Sequence, residues 1–178
     1  MRNCTLITGP VNSGKTSLLR RIMRETPESD RRTGGVIAVP LYRNGGKYGF
    51  DIMDIHSGNM VPLVRSRDMY MHVSHDEIQV TGRFLLFKRG LSFACDALAR
   101  AACGDASSPY LCDVICVDEV GPLEKNGKGY AAVLDSVLRN FSGDLYIVSR
   151  SETAAWLREK CLENKWNITV IQPGKRAE

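Results

Sequence analysis

The segment Gly9-Pro10-Val11-Asn12-Ser13-Gly14-Lys15-Thr16 constrains this chain more than any other stretch. The apolar run Cys4–Thr8 before it reads as a short buried strand. After it, Lys15–Glu25 reads as a helix with Leu18, Leu19, Ile22 and Met23 along one face. A strand that passes through two glycines into a helix must curl tightly, with successive backbone N–H groups turned inward. Those amides, together with the unpaired N–H groups and positive dipole end of the helix, make a site for phosphate. Lys15 is placed to reach the β- and γ-phosphates of a nucleotide, and the Thr16 hydroxyl is placed for Mg²⁺. Gly9, Pro10, Val11, Asn12, Ser13, Gly14, Lys15, Thr16 and Ser17 are therefore the expected nucleotide-binding residues. A chance glycine-rich turn would lack the strand before and the helix after.

Such a loop needs a sheet behind it, and the remaining periodicities supply one. Val114–Val117 is an unbroken apolar run, as in a parallel strand covered on both faces. Leu145–Ser149 and Ile168–Ile171 read as further strands. Helical faces appear at Leu91, Ala94, Cys95, Leu98 and Ala102, then from Tyr130 to Phe141, then over Glu152–Glu163. Between the two α/β ends, residues 33–90 are β-rich. Val36–Arg43 and Tyr48–Ile55 flank the hairpin signal Asn44-Gly45-Gly46, Met60–Val64 follows, and Ile78–Phe87 reads as one more strand. The expected architecture is a single α/β domain over residues 1–178. It has three layers, a mostly parallel central sheet and an antiparallel extension from the middle of the chain.

A phosphate grip alone hydrolyses nothing. In Asp113-Val-Ile-Cys-Val-Asp118-Glu119 the apolar run ends on two carboxylates, the expected place for a metal ligand. Asp118 is the candidate to hold Mg²⁺ with Thr16, and Glu119 the candidate to orient or deprotonate an attacking water. Charge on the transferred phosphoryl group also calls for a cation besides Lys15. Arg150 closes the strand Leu145–Ser149 and is the first candidate, with Arg43, Arg65 and Arg67 as rivals. The catalytic set is thus Lys15, Glu119 and Arg150.

Bulk properties fit this reading. The 178 residues could bury roughly 70% of their unfolded surface. A net charge of +4 suits an anion site but is too small to indicate nucleic acid. No apolar run approaches the roughly 20 residues of a membrane-spanning helix, and the N-terminus lacks a secretory signal. The six cysteines form no CxxC pair, so reduced thiols in a cytoplasmic protein are expected.

Several blocks resemble the THEP-type P-loop nucleoside-triphosphatases: "ITGPVNSGKTSLL", "GGVIAVPLYRNGGKYGFDIMDIHSGNMVPLVR", "VICVDEVGPLE" and, more weakly, "LYIVSRS". The resemblance implies a RecA-like fold and Mg²⁺-dependent hydrolysis of ATP, GTP and other nucleoside triphosphates. It places the phosphate loop on Gly9–Thr16 and the metal and water-activating acids on Asp118 and Glu119. It also matches Arg43 and Glu124 to a family arginine and glutamate. Three departures stand out. Ala38-Val39-Pro40-Leu41-Tyr42 replaces an acidic stretch, Pro122 replaces a lysine, and Ser149-Arg150 replaces a His-Arg pair. They leave the phosphate grip intact and leave rate and base preference open, while a mispositioned arginine would make turnover slow.

Two other functions compete: a small-molecule or nucleotide kinase on the same loop, and a nucleotide-switched module that reorders around Ser66–Asp76. The stretch from Lys125 to Asn140 is too poor in arginine for a kinase lid. His72, His75, Asp76 and Glu77 read as solvated loop rather than a metal site. Met53, Met60, Met69 and Met71 read as core, and Arg31-Arg32 as scattered surface charge. Asn164-Lys165-Trp166-Asn167 lacks the carboxylate that a guanine-reading motif needs. Oligomeric state is open.

Overall fold

The computed structural model describes residues 2–25, 31–69, 78–103 and 111–174. The apolar runs assemble into a nine-stranded sheet of order β5-β6-β4-β3-β2-β7-β8-β1-β9. Its strands are β1 (Asn3–Gly9), β2 (Thr33–Arg43), β3 (Gly46–Asp54), β4 (Met60–Ser66), β5 (Ile78–Thr81), β6 (Phe84–Phe87), β7 (Val114–Val120), β8 (Asp144–Arg150) and β9 (Asn167–Ile171). The helices are α1 (Lys15–Glu25), α2 (Lys88–Cys103), the single turn α3 (Pro122–Lys125), α4 (Ala131–Asn140) and α5 (Ser151–Glu163).

Strands β2, β7, β8, β1 and β9 run parallel, while β3, β4, β6 and β5 extend the sheet by antiparallel pairing. This is the α/β architecture expected from the sequence. The helical layers are unequal. Helices α2, α4 and α5 pack Leu98, Leu134, Leu138 and Leu157 on one face against Ile115, Leu145 and Ile147. On the other face Leu19 of α1, flanked by Leu18, Ile22 and Met23, covers Ile7, Ile37 and Val148. Both faces of the parallel core are thus dry, which is why β7 and β8 carry continuous apolar runs rather than alternation.

Three expectations need correcting. Ile78–Phe87 is not one strand: Thr81 pairs with Phe84 around a Gly82-Arg83 turn, and Gly82 takes φ +58, which glycine adopts without cost. Strand β7 does not stop at Asp118 but continues through a bulge to Val120. Met53 packs in the core, but Met60 is 53% exposed on the antiparallel extension.

Among the described residues none of the six cysteines forms a disulfide, and the Cys4 and Cys161 sulfurs lie 3.8 Å apart in the core. Among the described residues no helix is long and apolar enough to cross a membrane.

Candidate active site

Parallel strands end together, so whatever follows them gathers at one edge. The register pairs Gly9 with Arg150, and Thr8 with Ser149, which also faces Val120. The loop after β1, the acids of β7 and Arg150 of β8 therefore share the C-terminal edge of the sheet. The loop curls through Asn12 at φ 60 and Gly14 at φ 87, and helix α1 starts with Leu18 N–H on the Gly14 carbonyl at 2.9 Å. Lys15 Nζ folds back to donate to the carbonyls of Gly9 and Pro10, at 2.9 and 2.5 Å. Burial lowers the Lys15 pKa, against the charges of Glu119 and Asp118, which raise it; Arg150 and Lys47 push it down further. Four charged residues from three strands thus act on one ammonium group.

Asp118 is fully buried at this edge. Thr16 Oγ1 donates to its Oδ2 at 3.0 Å, and the Ala38 and Glu119 amides donate at 3.0 and 2.9 Å. Burial, and then the neighbouring Glu119 charge, push the Asp118 carboxyl up to about 7, while those three hydrogen bonds favour its ionised form. The Ala38 contact depends on Gly35, at φ +97: a Cβ there would sit 2.1 Å from the Cys116 carbonyl, so only glycine lets β2 lie this close to β7. A hydroxyl and a carboxylate in contact make an all-oxygen pair, suited to a hard cation that takes its remaining ligands from water and phosphate.

Glu119 is half-buried and sits in the bulge at φ 63, a conformation that costs a non-glycine residue roughly 1–2 kcal/mol. The surrounding structure holds it there. Between Val117 and Val120 the ladder to β8 shifts register, leaving Asp118 and Glu119 outside the pairing. The buried Tyr130 hydroxyl donates to the Asp118 carbonyl at 2.6 Å. Glu124, also buried, accepts the Gly121 amide at 2.9 Å and the Tyr130 amide at 3.3 Å. Burial raises the Glu124 pKa against those amide bonds. Gly129, at φ +62, leaves room for this carboxylate, since a Cβ would lie 2.0 Å from its Oε1. Sequence reading noticed Glu124 only through family resemblance and missed Tyr130 and Gly129. The one local cue was a proline after Gly121, at the first position of α3.

The cation candidates separate clearly. Arg150 is partly exposed and pairs with Glu152 at 3.7 Å, while its charge reaches Lys15. Arg65 is buried, donates to the Phe50 and Val64 carbonyls, and pairs with Asp51 at 2.5 Å, so it braces the antiparallel extension instead. Arg67 begins a single 3-10 turn and is exposed. Arg43 is exposed at the end of β2. Lys47, which the sequence reading did not single out, has a charge that bears on Lys15.

Other sequence features fall elsewhere. Arg31 and Arg32 pair with Asp144 and Asp113 at the opposite edge, where a cavity of about 650 Å³ opens. Asn164–Asn167 forms the turn from α5 into β9, with Trp166 buried and bonded to the Leu138 carbonyl. His72, His75, Asp76, Glu77 and Met71 lie outside the described residues.

Residues 4–178 match the family model described as NTPase. The chain belongs to this NTPase family. Among curated relatives, the nucleoside-triphosphatase THEP1 of Thermococcus kodakarensis is 28% identical over 144 residues, covering 81% of this chain and 74% of the relative. The THEP1 protein of Methanothermobacter thermautotrophicus is 26% identical over 172 residues, covering 96% and 88%. The solution structure of a human cancer-related nucleoside triphosphatase superposes with a TM-score of 0.68 at 21% identity, covering 97% of this chain and 88% of that one. At that identity the match speaks to the fold.

Proposed function

We propose that this NTPase-family chain, with residues 1–178 acting as one unit, hydrolyses ATP, GTP and other nucleoside triphosphates slowly to the diphosphate and phosphate. The carrying observation is the 3.0 Å contact of Thr16 with Asp118, with Glu119 adjoining it in the bulge. In this reading the loop Gly9–Ser17 wraps the phosphates, with backbone N–H groups offered by every residue but Pro10. Lys15 leaves the loop carbonyls for the β- and γ-phosphate oxygens. Thr16 and Asp118 would hold Mg²⁺, which would offset negative charge on the phosphate tail. Glu119 accepts a proton from the attacking water, and Arg150 offsets charge developing on the phosphoryl oxygens.

The kinase alternative draws no support from relatives named as nucleoside-triphosphatases. Most of the segment invoked for a nucleotide switch lies outside the described residues.

Phosphate release from ATP, GTP, CTP and UTP, with and without Mg²⁺ and without an added acceptor, tests the proposal. Glu119→Gln should bind nucleotide normally and release phosphate at least about tenfold more slowly, the low side of losing a general base. Unchanged release in that variant refutes the assignment, and release only on addition of a nucleoside or sugar acceptor restores the kinase.

A further inference from the structure

We propose that Lys47, carried on a ribbon overhanging the sheet edge, binds the terminal phosphate and makes the site discriminate triphosphate from diphosphate. This deepens the reading above and depends on the site being a nucleotide site.

The placement follows from strand pairing. Ala38 lies level with Asp118, since its amide donates to the Asp118 carboxylate. Pairing of β2 with β7 ends at Val36 with Val117, and pairing of β3 with β4 ends at Gly49 with Arg65. Beyond those points Tyr42 pairs with Lys47 and Arg43 with Gly46, with no third strand beside them among the described residues. At about 3.3 Å per residue, the Tyr42–Lys47 pair stands roughly 13 Å along the strand from Ala38.

The overhang is built to hold a direction. Asn44 and Gly45 take φ 50 and 76, the two positive values of a tight hairpin turn that suits strand twist. The register shifts between Leu41 and Tyr42, so Tyr48 opposes no residue, and such a bulge bends and twists a ribbon. Past the bulge, Lys47 shares a face with Phe50, and its ammonium sits 5.3 Å from that ring centre.

Lys47 is exposed, and no carboxylate pairs with it among the described residues. Arg65 and Arg150 have carboxylate partners, at 2.5 and 3.7 Å. Lys47 bears on Lys15 from the ribbon while Arg150 bears on it from β8. A phosphate group drawn to Lys15 therefore comes under the charge of two further cations, one on the ribbon and one at the end of β8. The β-phosphate is already served by the loop amides, so the ribbon's cation falls to the group furthest out.

The test compares a non-hydrolysable imido analogue of ATP with ADP, by calorimetry on the full chain with Mg²⁺. Lys47→Ala should weaken the analogue at least about tenfold, the range of a charged hydrogen bond, and change ADP less than about twofold. Lys47→Arg should recover most of the analogue affinity. The exposed Arg139→Ala on α4 controls for net charge and should move neither. Equal weakening of both nucleotides, or no change in either, overturns the role of Lys47 and leaves the hydrolase reading standing. Failure of the unaltered protein to bind either nucleotide overturns both.

Discussion

Tyr130→Phe isolates one atom of the support beneath Glu119. The hydroxyl it removes donates to the Asp118 carbonyl at 2.6 Å, and that carbonyl lies in the bulge, outside the pairing with β8. Asp118 and Tyr130 are 0% and 4% exposed, so water does not replace the bond. Leaving a buried acceptor unpaired costs about 1–3 kcal/mol. The strain at Glu119, φ 63, is of the same order, roughly 1–2 kcal/mol. Losing the bond thus removes about as much energy as the bulge stores, and the Glu119 backbone relaxes. For a domain of this size each kcal/mol moves the melting temperature by about 2–4 °C, so a fall of about 2–12 °C is expected. A catalytic group displaced by about 1 Å can cost 10²-fold, so phosphate release should fall at least about tenfold. Nucleotide affinity should stay within about twofold. Thermal melting, phosphate release and calorimetry on the same preparation read all three. A lower melting temperature with unchanged release would refute the idea that Tyr130 positions Glu119. No change in either would refute the energetic argument itself.

Two further outcomes follow from the same neighbourhood. Gly129→Ala drives a methyl to 2.0 Å from the Glu124 carboxylate at a φ of +62, and should destabilise the protein by about 2–4 kcal/mol in chemical denaturation. Asp118→Asn keeps the side-chain shape but loses the charge, and should raise the Mg²⁺ concentration for half-maximal phosphate release at least about tenfold in a metal titration.

The parallel core was readable because its strands are buried on both faces. Val114–Val117 and Leu145–Ser149 are runs that a half-exposed strand would not show. The turn between β1 and α1 was readable because its glycines and the runs on either side mark where a strand ends and a helix begins. What escaped depends on contacts distant in sequence. Nothing in Asp118-Glu119 itself announces a bulge, because the strain at Glu119 is held through the Asp118 carbonyl by Tyr130, which lies beyond the end of α3. Lys47 escaped because a charge near a hairpin tip has no periodicity to mark it, and its meaning comes from where pairing with β4 and β7 stops. The Gly82 turn was lost inside an apolar run whose two halves face each other. Arg65 resembled a free cation in sequence, yet Asp51 claims it across the β3–β4 ladder.

The strand order β7-β8-β1 has one more effect. With β8 as a spacer, the wall bearing the loop and the wall bearing the acids stand two strand separations apart, roughly 9.6 Å. The tip of β8 becomes the floor of that slot, and there the Ser149 hydroxyl is buried without a hydrogen-bond partner among the described residues. If the slot holds a nucleotide as proposed, a single replacement on this floor would alter the space between the walls while leaving both as they were, so the pace of the chemistry could be retuned without rebuilding the grip.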